Sequence, residues 1–330
     1  MPRRKAAVFE NPSTAKGFES ADASGGTLSD VLVIGGSGLL GQHLVGEAKA
    51  RGLPVQATYA SRAIPGGIRM ELTDLESMIR TLVRLRPKVV LLAAAMTDVD
   101  GCESHPEQAA VINAEAPGEI AKACASLGAR LVHFSTDYVF DGSTQAAYRE
   151  GDPAEPRSAY GRTKLAGERN VLAALPSTLL LRTSANFGWN RLRTKTNAVT
   201  WILEKLRRSE PVPLFTDQWV TPSYVPDVAR IAFDLLDRDA DGTFHVGSKD
   251  CLNRLEMGQA VCETFRLPEA LLKPIRLADL PLKAPRPRRS CLATARIERA
   301  LKIRVPTFAN SLVHMRDHEP VLGGNRTPKR

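Results

Sequence analysis

The stretch Val31–Val45, VLVIGGSGLLGQHLV, decides the fold. An apolar run enters three glycines, Gly35, Gly38 and Gly41, and an apolar-periodic segment leaves them. Glycine at such points lets the chain turn tightly and lets a pyrophosphate approach the first turn of a helix, where free N–H groups and the helix dipole favour an anion. A glycine triplet alone is a weak signal. Strand, G-x-x-G-x-x-G and helix in one unit together predict a dinucleotide-binding turn, with Gly35, Ser37, Gly38, Leu39, Leu40 and Gly41 around the cofactor phosphates.

Downstream the same rhythm repeats. VQATYA is followed by LESMIRTLVRLR, KVVLLAAA by AEAPGEIAKACASLG, and RLVHFSTD by YGRTKLAGERNVLAAL. Short continuous apolar runs separated by amphipathic segments of ten or more residues are the pattern of βαβ units, whose strands are buried on both faces. The fold class is therefore α/β, a Rossmann-type doubly wound parallel sheet with a smaller C-terminal substrate domain. We assign 1–28 to a flexible leader, 29–185 to the dinucleotide-binding domain with a returning segment near 223–248, and 186–222 with 249–317 to the smaller domain. Residues 318–330 read as a flexible tail.

Composition bounds the partners. At 330 residues, with 43% hydrophobic and 25% charged residues, the chain reads as a soluble globular protein, and no apolar run approaches the roughly 18 residues of a membrane span. A cytoplasmic location is expected. The five cysteines are scattered without a CxxC pair, so reduced thiols are expected, with neither a disulfide framework nor a metal site. The net charge of +9 lies wholly within 281–330, which holds 12 Lys+Arg against 3 Asp+Glu. Its APRPRRS segment lacks interleaved aromatics, so a solvated tail or a phosphate contact is favoured over nucleic acid.

Cofactor choice is written at the end of the second strand. An acid there binds a ribose diol, but VQATYASRAIPGG offers Ser61 and Arg62 instead. A hydroxyl and a guanidinium suit a 2′-phosphate, so NADP(H) is favoured over NAD(H). Further along, Tyr160 and Lys164 fall one helical turn apart, downstream of Thr136 at a strand end. A lysine ammonium beside a phenol is expected to lower its pKa, and a nearby hydroxyl to orient a carbonyl against it. Thr136, Tyr160 and Lys164 are the candidate catalytic group.

At this point the chain resembles the extended short-chain dehydrogenase/reductases. More narrowly it is similar to the dTDP-4-dehydrorhamnose reductase branch, which includes the regulatory β subunit of methionine adenosyltransferase. The resemblance rests on GGSGLLG, AAAMTDVDGCESHPEQAAVINAEAP, STDYVFDG, YGRTKLAGE, TDQWVTPSYVPDVA, GTFHVG and RPRRSCLATARIE. It implies 4-ketoreduction of a nucleotide-linked sugar by NADPH. It also implies cofactor contacts at Glu71 and Leu72 (adenine), Ala93, Ala94 and Ala95, and Asn113 behind the lysine. Substrate contacts are implied at Thr97, Val99, Asp137, Tyr138, Asn197, Trp219 and Arg286, with Arg289 a further candidate for a diphosphate. Dehydratases of the wider family carry Thr-Asp-Glu where this chain has Thr136-Asp137-Tyr138, which disfavours dehydration and makes Asp137 a hydrogen-bond acceptor rather than a catalytic acid. Val220 and Ser223 stand where the branch has glycine and threonine. The alternatives are another nucleotide-sugar epimerase or reductase, or an NADP-binding regulatory subunit partnered by a methionine adenosyltransferase. A homodimer is what the family suggests.

Overall fold

The computed structural model describes residues 30–192 and 195–320. The leader at 1–28 and residues 321–330 of the tail lie outside them. In chain order the first half holds β1 (Val31–Ile34), α1 (Leu39–Ala50), β2 (Val55–Tyr59), β3 (Ile68–Arg69), α2 (Leu75–Leu85), β4 (Val89–Leu92), α3 (Val99–Ser104), α4 (Pro106–Ala110), α5 (Ala116–Leu127), β5 (Arg130–Thr136) and α6 (Ala159–Ala174). There follow β6 (Leu179–Thr183), α7 (Ala198–Arg207), β7 (Val212–Phe215), β8 (Trp219–Val220), α8 (Val225–Leu236), β9 (Gly242–Val246), β10 (Leu252–Asn253), α9 (Arg254–Phe265), β11 (Leu272–Ile275), α10 (Ala295–Leu301) and α11 (Phe308–Asp317).

Seven strands form one sheet in the order β3-β2-β1-β4-β5-β6-β9, and every neighbouring pair is parallel. The reason the central strands are largely apolar is visible in β1. Val31 and Val33 join one core with Leu44 of α1 and Val228 of α8, while Leu32 and Ile34 join the other with Met78 and Leu82 of α2 and Ile120 of α5. Both faces of β1 are covered, so all four of its residues are apolar and buried. No described helix is long and apolar enough to cross a membrane.

A third core gathers α7, α9 and α11 around Phe187, Leu203, Met257, Phe308 and Leu312. Two small sheets edge it, β8 antiparallel to β10 and β7 parallel to β11. One expectation is corrected here. Cys251 and Cys291 form a disulfide, with Cα atoms 5.5 Å apart across a sequence separation of 40 residues. The fold returns the segment after β9 to the chain preceding α10, a meeting that cysteine spacing does not encode. Cys102, Cys124 and Cys262 are free and buried.

Candidate active site

The site collects at the carboxyl ends of the parallel strands, where open α/β sheets bind ligands. The turn after β1 packs its glycines without room for side chains: a Cβ on Gly41 would overlap the Gly35 carbonyl. A Cβ on Gly35 would meet the backbone of Ala94 at 2.8 Å, so the turns after β1 and β4 touch, and Ala93 N donates to Ile34 O at 3.0 Å. Helix α1 begins at Leu39 with no side-chain cap and no acid in its first turn. Its leading N–H groups are thus offered to an anionic ligand, which fits a dinucleotide phosphate. Ser61 and Arg62 are exposed just beyond β2. Of the adenine candidates, Glu71 is exposed and paired with Arg69 at 2.6 Å, and Leu72 is buried in the core under α2.

Helix α6 presents the reactive residues. Ser158 caps it by accepting from Gly161 N at 3.1 Å, and Gly161 lets the helix approach so closely that a Cβ there would overlap the Tyr138 carbonyl. Tyr160, Lys164 and Glu168 lie one turn apart along one stripe. Tyr160 is half-buried, its ring edge-on to Tyr138 with centroids 5.5 Å apart. Burial pushes its phenol pKa up, a hydrogen bond with the Thr136 hydroxyl pulls it back, and the Asp137 charge pushes it up again. The expected lowering is therefore reversed. Burial is the main cause, and the lysine expected to offset it is engaged elsewhere: Lys164 Nζ donates to Phe134 O at 2.8 Å, beneath the strand end.

Lys164 is buried, and burial lowers its pKa to about 8 against the opposing charge of Glu168. Below that value the ammonium is charged in the folded state; as pH rises through about 8 the charge is lost, whereas Tyr160 keeps its proton. Turnover is therefore expected to fall on the alkaline side with a midpoint near pH 8, read from the pH profile of kcat/KM. A flat profile to pH 10 contradicts a role for the ammonium.

Thr136 Oγ1 donates to Asp137 Oδ1 at 3.1 Å and accepts from Tyr138 N at 3.2 Å. Asp137 is buried and also accepts from the Ser290 hydroxyl; burial raises its pKa, opposed by Ser290 and Ser184. Asn113 sits in a π-helical turn spanning Val111–Glu115, an irregularity that recurs at functional sites. Its side chain accepts from Met96 N at 2.9 Å and donates to Met96 O at 3.1 Å, bracing the loop that carries Ala95 and Thr97. Thr97 is exposed on that loop and Val99 opens α3.

Three substrate candidates have other engagements. Asn197 caps α7, accepting from Thr200 N at 3.2 Å and donating to Gly188 O at 2.8 Å. Arg286 is held bidentately by Asp100, both contacts 2.8–2.9 Å. Trp219 lies under the Arg289 guanidinium, 5.6 Å from the ring centroid. Sequence reasoning missed Gln218, Arg254, Ser290 and His133. Gln218 Nε2 reaches the Tyr138 hydroxyl at 3.4 Å, and its Oε1 accepts from Arg254 Nε at 3.2 Å. His133, fully buried with neither ring nitrogen bonded among the described residues, is kept neutral by burial and by Lys164. Gln218 and Ser290 fall inside TDQWVTPS and RPRRS, stretches already singled out; Arg254 carried no signal.

The family model of the RmlD substrate binding domain matches residues 29–320. A probable low-salt glycan biosynthesis reductase of Haloferax volcanii is 38% identical over 288 residues, which cover 85% of this chain and 95% of that protein. Methionine adenosyltransferase 2 subunit beta of Bos taurus is 34% identical over 276 residues, 81% of each chain. A dTDP-4-dehydrorhamnose reductase crystal structure from Clostridium acetobutylicum superimposes with a TM-score of 0.78 at 28% identity, covering 87% of this chain and 98% of that one.

Proposed function

Because the chain belongs to the RmlD substrate binding domain family, we propose that it reduces the 4-keto group of a nucleotide-linked 6-deoxy sugar, a dTDP-linked one in the first instance, with NADPH. It is an NAD(P)-dependent oxidoreductase whose chemistry rests on Tyr160. The observation that carries the reading is the half-buried, protonated phenol of Tyr160 beside the Thr136 hydroxyl, with Lys164 one turn behind it. The bound dinucleotide supplies the hydride. Tyr160 gives its proton to the sugar oxygen as that oxygen becomes an alcohol, and Thr136 orients the carbonyl. Lys164, one turn behind the phenol, holds a buried ammonium beneath the strand end, in position for the nicotinamide ribose.

Reduction is favoured over dehydration because Tyr138 stands beside Asp137 where an acid would be needed. The preference for NADPH is supported by Arg62, exposed beyond β2. The match to a methionine adenosyltransferase subunit supports a second reading, a cofactor-binding regulatory subunit. Purified protein incubated with NADPH and a panel of nucleotide 4-keto-6-deoxy sugars separates them. Oxidation of NADPH with at least one sugar is expected. No oxidation with any, together with stable capture of a methionine adenosyltransferase, overturns the reductase reading.

A further inference from the structure

Several shielded arginines of this protein are met by acids: Arg182 is held by Glu168, Arg51 by Asp234, Arg130 by Asp239 and Arg286 by Asp100. Two half-buried ones, Arg254 and Arg289, have no described carboxylate within ion-pair distance; Arg289 lies over the Trp219 ring, whereas Arg254 is tied to the catalytic segment. It opens α9 immediately after Asn253, which pairs across the small sheet with Trp219. From there its side chain reaches back toward the catalytic cleft. Nε donates to Gln218 Oε1 at 3.2 Å, and Nη1 rests only against the Met257 sulfur at 3.7 Å. Gln218, itself buried, continues the chain to the Tyr138 hydroxyl, and Tyr138 packs edge-on against Tyr160. The Asp137 carboxylate and the Tyr138 phenol both act electrostatically on Arg254, and both lie on the strand-end segment that carries Thr136.

A guanidinium withdrawn from water without an anion is costly. It carries a planar fork of donors that matches phosphate oxygens. Gln218 accepts from Nε and restrains the guanidinium, while Nη1 meets only a weak sulfur acceptor.

We infer that Arg254, rather than Arg286, reads the diphosphate of the nucleotide-linked substrate. Gln218 holds its orientation and ties the diphosphate contact to Tyr138 and the reacting end of the sugar. This rests on the reductase reading for the identity of the ligand, but the contact is measurable without turnover.

The test is calorimetric titration of free dTDP and of free UDP into NADP-saturated wild type, Arg254→Gln and Arg254→Lys, beside titration of NADP alone into each and a thermal melt of each. At least one nucleoside diphosphate is expected to bind the wild type, and Arg254→Gln to weaken it about 10- to 100-fold, the range of a charge-assisted bidentate contact. NADP affinity should not change. Arg254→Lys keeps charge but not the fork and should recover part of the loss. Unchanged nucleotide affinity in either variant, or no binding of dTDP or UDP by the wild type, overturns the inference. A loss of NADP affinity instead would assign Arg254 to the cofactor and overturn it too. If Arg254→Gln melts well below the wild type, the lysine variant decides, since it keeps the charge. Diphosphate binding lost in Arg254→Gln with no sugar reduced by the wild type would remove the reductase reading and leave this inference standing. Sugar reduction with unchanged KM in Arg254→Gln would do the reverse.

Discussion

Tyr160→Phe is expected to lower kcat by about 10²- to 10⁴-fold, the range for loss of a positioned general acid, while NADPH binding stays as in the wild type. The phenyl ring preserves the edge-on contact with Tyr138, so the fold and the substrate wall survive. What is lost is the hydroxyl proposed, with Thr136, to meet the developing alkoxide. The raised pKa of that hydroxyl matters to the size of the effect. At neutral pH the phenol is protonated, so the group is ready to donate in the reductive direction without a prior proton uptake. Stopped NADPH oxidation with unchanged cofactor fluorescence is the expected pair of readings. Full activity in the variant removes Tyr160 from the mechanism.

Glu168→Ala is expected to destabilise the protein by about 3–5 kcal/mol, the cost of leaving one member of a buried ion pair alone. Arg182 on β6 bonds Glu168 twice, at 2.9 and 2.6 Å, and both side chains are almost fully shielded, 8% and 4% exposed. Removing the acid leaves a guanidinium held only by the Glu150 carbonyl at 3.2 Å and the face of Phe140. The consequence reaches the site. Glu168 lies one turn beyond Lys164 and its charge raises the lysine pKa. The alkaline fall in turnover is therefore expected to move below pH 8 in this variant. Denaturant unfolding checks the first effect and the pH profile the second. A loss under about 1 kcal/mol would contradict the ion pair's role in the core.

Much of the sheet was legible because parallel strands buried on both faces leave an unmistakable trace. VLVI, VVLL and LVHF could only be covered on two sides, and the glycines after the first mark where helix α1 must crowd the strand end. The Tyr160–Lys164 stripe was legible from helical spacing read together with the glycine turn and with Thr136 at a strand end. What spacing cannot carry is partnership across the fold. Arg286 looked free for a phosphate, yet Asp100 of α3, 186 residues away in sequence, holds it. Asn197 looked like a substrate cover and is spent on capping α7. Cys251 and Cys291 gave no pattern because their meeting depends on how the C-terminal third of the chain folds back. The pKa of Tyr160 was misjudged for a related reason. Sequence places a lysine one turn away, but only the structure shows its ammonium turned to the Phe134 carbonyl. Arg254 opens a helix that reads as ordinary, and its meaning comes from Gln218 and Tyr138, which approach it from two other elements.

The central claim is that this site moves a hydride from a nicotinamide to carbon 4 of a nucleotide-linked sugar. The most direct measurement is a turnover with NADPH deuterated at the transferable C4 position and a nucleotide 4-keto-6-deoxy sugar, followed by mass and NMR analysis of the product. One deuterium is expected, bonded to sugar carbon 4, with Tyr160→Phe forming about 10²- to 10⁴-fold less of the same labelled product over the same interval. A reduced sugar without deuterium at that carbon, or no reduction of any sugar by protein shown to bind NADPH, would contradict it.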